Sequence, residues 1–233
     1  MNTMSALSEA RAREEICRVG QSLYARGYVH ATAGNISVRR DDGYLITPTD
    51  ACLGTLDPAR LSRLDAQGRH TGGDVPSKTI ALHRQIYAAT TAAGEPAGCV
   101  IHTHSTHLVA CSLLADTLGP QDTPAELLPP LTPYFVMKVG HVPHLPYGRP
   151  GSESVAQQVA DTITRYAKAS QPLRAVMLAR LGPNVWHQTP ALAMAVLEEL
   201  EETARLALLT RGQASPLSSA QIAELQDTFG ARW

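Results

Sequence analysis

Residues 98–105 read Gly-Cys-Val-Ile-His-Thr-His-Ser, an uninterrupted apolar run that passes straight into polar residues carrying two imidazoles. A short apolar run of this kind is a buried strand, and a buried strand requires a sheet covered by other layers. In an α/β protein, chemistry sits at the end of such a strand. A second buried strand is expected in Ala-Val-Met-Leu-Ala-Arg-Leu-Gly at 175–182, closed by Gly182.

The rest of the chain supplies the covering layers. Residues 5–27 form a helix on the spacing of Ile16, Val19 and Leu23, stopped by Gly27. Two β-rich runs then flank Asp42-Gly43, a tight hairpin signal. Asp57-Pro58 opens a short helix, and the turn-rich residues 66–73 suggest a second hairpin. Ser77 is placed to cap a helix over 78–90, with Ile80, Leu82, His83, Ile86 and Tyr87 on its apolar faces. Residues 106–115 read as helix, 116–130 as a Pro-rich loop, and 136–148 as one or two strands broken by prolines. An amphipathic helix follows at 152–168. Thr189-Pro190 opens a long helix at 190–211, with Leu192, Val196, Leu200, Ala204 and Leu208 at four-residue steps and Glu201 spaced for Arg205. A capped helix at 218–229 ends the order. There are no repeats and no low-complexity linker. The expectation is one α/β domain over residues 1–233, with a largely antiparallel central sheet between helices.

Charge and cysteine usage exclude several function classes. Twenty Lys+Arg against 21 Asp+Glu, with 5% aromatics and no basic block, leave no nucleic-acid footprint. Cys17, Cys52, Cys99 and Cys111 show no CxxC spacing, and the apolar surroundings of Cys99 and Cys111 suit buried reduced thiols, so no disulfide framework is expected. The first 15 residues are charged where a signal peptide is apolar, and no run reaches a membrane span, so a cytoplasmic location with no membrane partner is expected.

The chemistry-bearing residues fall in three places. On a strand, His102 and His104 point to the same face, where two neutral imidazoles can converge on one divalent ion such as Zn²⁺. The alternative is a pair of hydrogen-bonded histidines at a strand end. Thr32-Ala33-Gly34-Asn35 stands between a helix and a strand, Thr47-Pro48-Thr49 returns on the hairpin partner, and Pro76-Ser77 starts a helix. Small hydroxyl and amide donors, with free N–H groups at a helix start, suit a phosphate. Taken singly, each segment is also ordinary turn or cap chemistry.

The order of these motifs resembles the class II aldolase/adducin family, which includes fuculose phosphate aldolase and ribulose-phosphate 4-epimerase. The matching stretches are TAGNISV (32–38), LITPT (45–49), PSK (76–78), LHRQIY (82–87), VIHTHS (100–105), VPHLPY (142–147) and LEELEETARL (197–206). Residues 52–62, 131–140 and 146–151 look most like the family's 3-oxo-tetronate 4-phosphate decarboxylases. The resemblance implies a three-layer α/β/α fold, a homotetramer with interfacial sites, and a divalent ion, usually zinc, held by three histidines. His102 and His104 match two of those ligands, and Gly34, Asn35, Thr49 and Ser77 match phosphate-binding positions. Asp50 stands where relatives often have Gly.

Two positions depart from the family pattern. Arg180-Leu181-Gly182 replaces an Asn-His-Gly segment that bears the third ligand, and leucine coordinates nothing. Thr79 replaces the catalytic glutamate that follows PSK, and its hydroxyl does not ionise near neutral pH. His107, His141, His144 and His187 are candidate substitute ligands, each alternatively a surface histidine. His83 reads as a core or supporting histidine.

The function implied is a metal-dependent carbon–carbon lyase acting on a small phosphorylated sugar acid, most simply decarboxylation of a 3-oxo-tetronate 4-phosphate through a metal-stabilised enediolate. Lys78 suits a substrate carboxylate or phosphate, or is a solvated lysine. Tyr134 is a candidate proton donor, or a packing aromatic. The alternatives are an aldolase with its base from Asp50 or a histidine, and a catalytically silent binding or scaffold module.

Overall fold

The computed structural model describes residues 8–115 and 126–233. Eight strands join one sheet: β1 (Asn35–Arg40), β2 (Gly43–Ile46), β3 (Ser62–Asp65), β4 (His70–Gly72), β5 (Cys99–His102), β6 (His144–Leu145), β7 (Ala175–Leu178) and β8 (Gly182–His187). Their order is β4-β3-β2-β1-β5-β8-β7-β6, and every pairing is antiparallel except β6 with β7. The expected sheet is therefore present, with the apolar run at 98–105 supplying its central β5.

Among the described residues, six α-helices cover it: α1 (Glu9–Ala25), α2 (Ile80–Ala92), α3 (Thr106–Ala115), α4 (Glu153–Lys168), α5 (Pro190–Leu209) and α6 (Ser219–Phe229). Strand alternation divides the interior in two. Ile101 of β5, Met177 of β7 and Val185 of β8 pack with Ile16 and Leu23 of α1 and Leu197 and Leu200 of α5. Val100, Val176 and Trp186 face the other way, against Ile86 and Tyr87 of α2 and Val159 and Ile163 of α4. Three α/β/α layers follow from this period-two sorting. No helix among the described residues is long and apolar enough to cross a membrane.

Local chemistry explains most element starts. Ser8 accepts from Arg11 N at the start of α1, Asp57 from Ala59 N at a 3₁₀ turn, and Thr189 from Leu192 N before α5. Ser218 and Gln221 form a reciprocal capping box at α6. Residues 66–73 do make the turn and return strand of a second hairpin.

Five local expectations are corrected. The β1–β2 turn is centred on Asp41-Asp42, and Gly43 lies inside β2 opposite Arg40. Its φ is 144°, and any Cβ at this position would collide with the Leu64 carbonyl oxygen, which reserves the site for glycine. Ser77 lies outside α2, two residues before its half-helical entry residue Thr79. Residues 136–139 belong to a π-helical turn, Phe135–Val139, so the expected strand at 136–148 shrinks to β6; its apolar residues serve a buried helical turn equally well. The run at 175–182 breaks after Leu178 into a turn, and β8 follows despite Pro183, which pairs opposite Met177. Glu201 does not serve Arg205, which pairs with Glu202 instead. Glu201 is 4% exposed and accepts from the His107 and Leu108 backbone N–H groups at the start of α3, a buried cap that outweighs a surface pair. Of the expected loop at 116–130, residues 116–125 lie outside the described residues.

Candidate active site

Three neighbouring strands present one row of side chains. Asn35 at the start of β1 pairs with His102 at the end of β5, which pairs with Asn184 in β8. Paired residues share a face, here the face covered by α2 and α4. The His102 Nδ1–H donates to the Pro183 carbonyl at 2.9 Å. This fixes the ring and leaves Nε2 as the nitrogen with a lone pair. His104 lies just beyond the strand, and its ring centroid is 5.0 Å from that of His102 at an interplanar angle of 69°.

The turn before β1 is pressed against this row. Gly34 has φ +84°, and a Cβ there would lie 2.8 Å from Val29 Cγ1 and 2.9 Å from the His102 carbonyl oxygen. Thr49 N donates to the Val75 carbonyl at 2.9 Å and Ser77 N to the Thr47 carbonyl at 3.3 Å, so the Thr-Pro-Thr and Pro-Ser segments run side by side. The result is a cleft of about 1080 Å³ lined by Gly34, Asn35, Thr49 and Ser77, with His102 and His104 also in its wall. The six residues expected to bind phosphate and metal are thus brought together. The N-terminus of α2 opens onto the same space, where its dipole favours an anion.

Lys78 and Asp50 also line the cleft, as do both substituted positions, Thr79 and Leu181. Thr79 Oγ1 accepts from Asn35 Nδ2 at 3.3 Å and from Ser77 Oγ at 3.2 Å. The Thr79 hydroxyl is therefore held in a neutral hydrogen-bond network.

The imidazoles are poised to stay neutral. Burial, reinforced by the His104 charge, lowers His102 to about 4. Burial and then His30 lower His104. His83 is fully buried behind this wall; its Nδ1 meets Ser37 Oγ at 2.8 Å, and burial with the His102 charge takes it to about 3. His83 Nε2, Asn35 Oδ1 and both amide atoms of Asn184 are buried without a partner. His83 is thus a core residue supporting the cleft rather than lining it.

The other sequence candidates lie elsewhere. His107 is engaged by Glu201 at 2.8 Å, His141 by Glu126 at 3.1 Å, and His144 by Ser112 Oγ at 3.1 Å. His187 is at the opposite end of β8, paired with Cys99. None of the four lines the cleft, which removes them as substitute ligands within one chain. Tyr134 is also outside it, 62% exposed at the entry to the π-helical turn.

Four residues in or beside the cleft carried no signal that spacing alone could read. Arg84 lies 5.8 Å over the Tyr44 ring, and both line the cleft together with Arg149. Arg84 belongs to a helix read for its apolar face, and Arg149 to a Pro/Gly turn. His30 lies next to the Thr32 turn, its ring centroid 6.4 Å from that of His104. A histidine so close to a glycine turn was the available signal.

The donor set can be tested against a resident divalent ion. Two imidazoles bound tetrahedrally to one ion have centroids roughly 5 Å apart, which His102 and His104 satisfy. The third donor is missing. Leu181 occupies the wall, His30 is farther off, and among the described residues no group of three His, Cys, Asp or Glu side chains could hold a metal. The residues present do not fit a resident three-nitrogen site.

Residues 14–208 match the Class II Aldolase and Adducin N-terminal domain, and the chain belongs to that family. Enzymes of this family are generally dependent on a divalent metal. Among its relatives, the chain is 50% identical to the 3-oxo-tetronate 4-phosphate decarboxylase of Cupriavidus necator, over 97% of this chain and 99% of that protein. It is 37% identical to the Escherichia coli K12 protein of the same name, over 94% and 96% of the two chains. The solved structure of YgbL from Klebsiella pneumoniae, described as an aldolase/epimerase/decarboxylase, superposes with a TM-score of 0.80 at 38% identity, covering 94% of this chain and 99% of that one.

Proposed function

We propose that the chain is a carbon–carbon lyase that decarboxylates a 3-oxo-tetronate 4-phosphate or a close analogue. The observation that carries this is the cleft that gathers Gly34, Asn35, Thr49 and Ser77 at the start of α2, with Thr79 held beside them in a neutral hydrogen-bond network. Aldol cleavage needs a base to remove a hydroxyl proton. Decarboxylation of a 3-oxo acid does not, because the carboxylate is already ionised. The C1–C2 bond breaks, CO₂ leaves, and the electron pair passes through C2–C3 to the C3 oxygen. A proton delivered to C2 then gives dihydroxyacetone phosphate.

In this reading, Gly34, Asn35, Thr49 and Ser77 hold the phosphate at the start of α2, where the dipole and short donors favour an anion. Lys78 faces the substrate carboxylate or phosphate. Tyr134 reaches a cleft only from another copy, so its role as proton donor goes with the homotetramer proposed for this chain. The whole of residues 1–233 acts as one domain in each subunit, in the cytoplasm.

The test is to supply the purified protein and Zn²⁺ with 3-oxo-tetronate 4-phosphate, and to measure CO₂ and the three-carbon ketone phosphate. Equal amounts of both are expected. Aldehyde release from a hydroxy-ketone phosphate would favour an aldolase, and no turnover with bound ligand would favour a silent binding module.

A further inference from the structure

We propose that the cleft holds a second oxyanion site, built by Arg39 and Arg84 on the stacked rings of Tyr44 and Tyr87, which takes a phosphate or carboxylate group while the Gly34–Ser77 end is also occupied. The proposal goes beyond the reaction and does not depend on which sugar acid the chain uses.

Room is the first reason. The cleft encloses about 1080 Å³, the upper end of what houses a drug-sized ligand, and a four-carbon acid phosphate fills only part of it. Its wall follows one face of α2 from Ala81 through Arg84 and Ala88 to Ala92, a run of roughly 16 Å at about 1.5 Å of rise per residue. Past the first turn of α2, the chemistry of that wall is Arg84 together with Arg39 of β1 and Tyr44 of β2.

These groups are held before any ligand arrives. Arg39 and Tyr44 are paired in register across β1 and β2. The Tyr44 ring stacks on that of Tyr87 with centroids 5.6 Å apart at 27°. Tyr87 is buried, and its hydroxyl donates to the Ser37 carbonyl at 2.9 Å, which anchors the stack to β1. Each ring carries one guanidinium: Arg84 Cζ lies 5.8 Å from the Tyr44 centroid and Arg39 Cζ 5.7 Å from that of Tyr87. Arg39 Nη1 also donates to Thr91 Oγ1 at 2.7 Å. Gly68, at φ +85° in the β3–β4 turn, approaches so closely that a Cβ there would collide with the Arg84 guanidinium.

Neither arginine forms an ion pair with a carboxylate among the described residues. The acids of the adjoining hairpins are committed elsewhere, Asp42 to Arg40 and Arg63, and Asp65 to Arg69. Asp50 and Glu153 share the cleft wall and pair with neither arginine, while Lys78 and Arg149 add two further cations to it. Tyr44 already contacts Tyr87 and Arg84, so what is offered to a ligand is guanidinium N–H. A fixed guanidinium fork without a counter-ion suits phosphate or carboxylate. That group is either a free anion or the far carboxylate of one long ligand whose phosphate rests at Ser77.

The test is titration of the full chain with inorganic phosphate at low ionic strength, with the Gly34–Ser77 end first saturated by 4-phosphoerythronate. Phosphate is expected to bind at one further site per subunit, weakened at least about tenfold in Arg84→Gln and less in Arg84→Lys, which keeps the charge without the fork. Arg39→Gln gives a similar loss, so the test stands if either variant fails to fold, and 4-phosphoerythronate affinity changes less than about twofold in both. In a parallel arm, 6-phosphogluconate binding more tightly than 4-phosphoerythronate, with the advantage lost in Arg84→Gln, would assign the site to the far carboxylate of a long ligand. Phosphate binding that survives both substitutions, or neither a second phosphate nor any dependence of 6-phosphogluconate on Arg84, would overturn the proposal. If 4-phosphoerythronate does not bind, the substrate reading falls alone, and the phosphate titration of the ligand-free chain against Arg84→Gln decides the second site by itself.

Discussion

The two ends of the cleft are built in different ways. At the end proposed to hold phosphate, the turn at Gly34, the paired 47–49 and 75–77 segments and the start of α2 are held in place by backbone hydrogen bonds and close backbone approach. At the imidazole end, everything depends on which side chains the strand ends carry, and there Leu181 brings only methyl groups beside His102 and His104. A segment held by backbone persists wherever the fold persists. A coordination shell is lost with one residue and the sheet is none the worse, because leucine joins the adjacent apolar cluster.

The sharpest way to break this comparison is at Gly34. Gly34→Val places a side chain against Val29 and the His102 carbonyl at a positive φ. Affinity for a phosphorylated sugar acid is expected to fall at least about 100-fold by titration calorimetry, with a stability loss of roughly 2–4 kcal/mol. Normal binding by this variant would show that the cradle does not depend on the backbone approach.

Glu201→Gln probes what holds the segment after His104. The carboxylate accepts from two N–H groups at the start of α3 and contacts His107. Denaturant unfolding is expected to report a loss of about 1–3 kcal/mol, with ligand affinity changed less than twofold. A large affinity change would mean that the imidazole end is positioned by α3 as well as by β5.

Acid should act on the imidazole end through the fold. His83 and His102 are lowered to about 3 and about 4, so below pH 6.5 the unfolded chain binds protons that the folded chain refuses. Stability is therefore full above pH 6.5 and declines as pH falls toward 3, by up to about 1.4 kcal/mol per pH unit for each histidine. His83→Gln should flatten that decline in equilibrium unfolding measured from pH 7 to pH 4.

The mildest change sharpens the phosphate assignment. Ser77→Ala removes one hydroxyl and is expected to weaken a phosphorylated sugar acid about tenfold, with its unphosphorylated counterpart changed little. Equal losses for both would move Ser77 to another part of the ligand.

Much of this division was legible in the sequence. The apolar run into His102 marked the central strand, and the Gly34, Thr49 and Ser77 segments marked turns that the fold gathers in one cleft, because turns and caps use few residue types for local reasons. Legibility failed where local pattern does not decide the outcome. The π-helical turn at 135–139 uses the same apolar residues as a strand, and β8 hides behind Pro183. Glu201 looked like half of a surface pair because its buried partners on α3 are 93 and 94 residues away. Likewise, the approach of His30 to His104 is a tertiary fact that spacing does not encode.

The most direct measurement is CO₂ release from 3-oxo-tetronate 4-phosphate by the purified chain supplied with Zn²⁺, with ligand occupancy confirmed in the same preparation. The expected result is one CO₂ and one dihydroxyacetone phosphate per substrate consumed, reduced strongly in His102→Ala. Full occupancy of the cleft with no CO₂ above the uncatalysed rate would contradict the proposed decarboxylation.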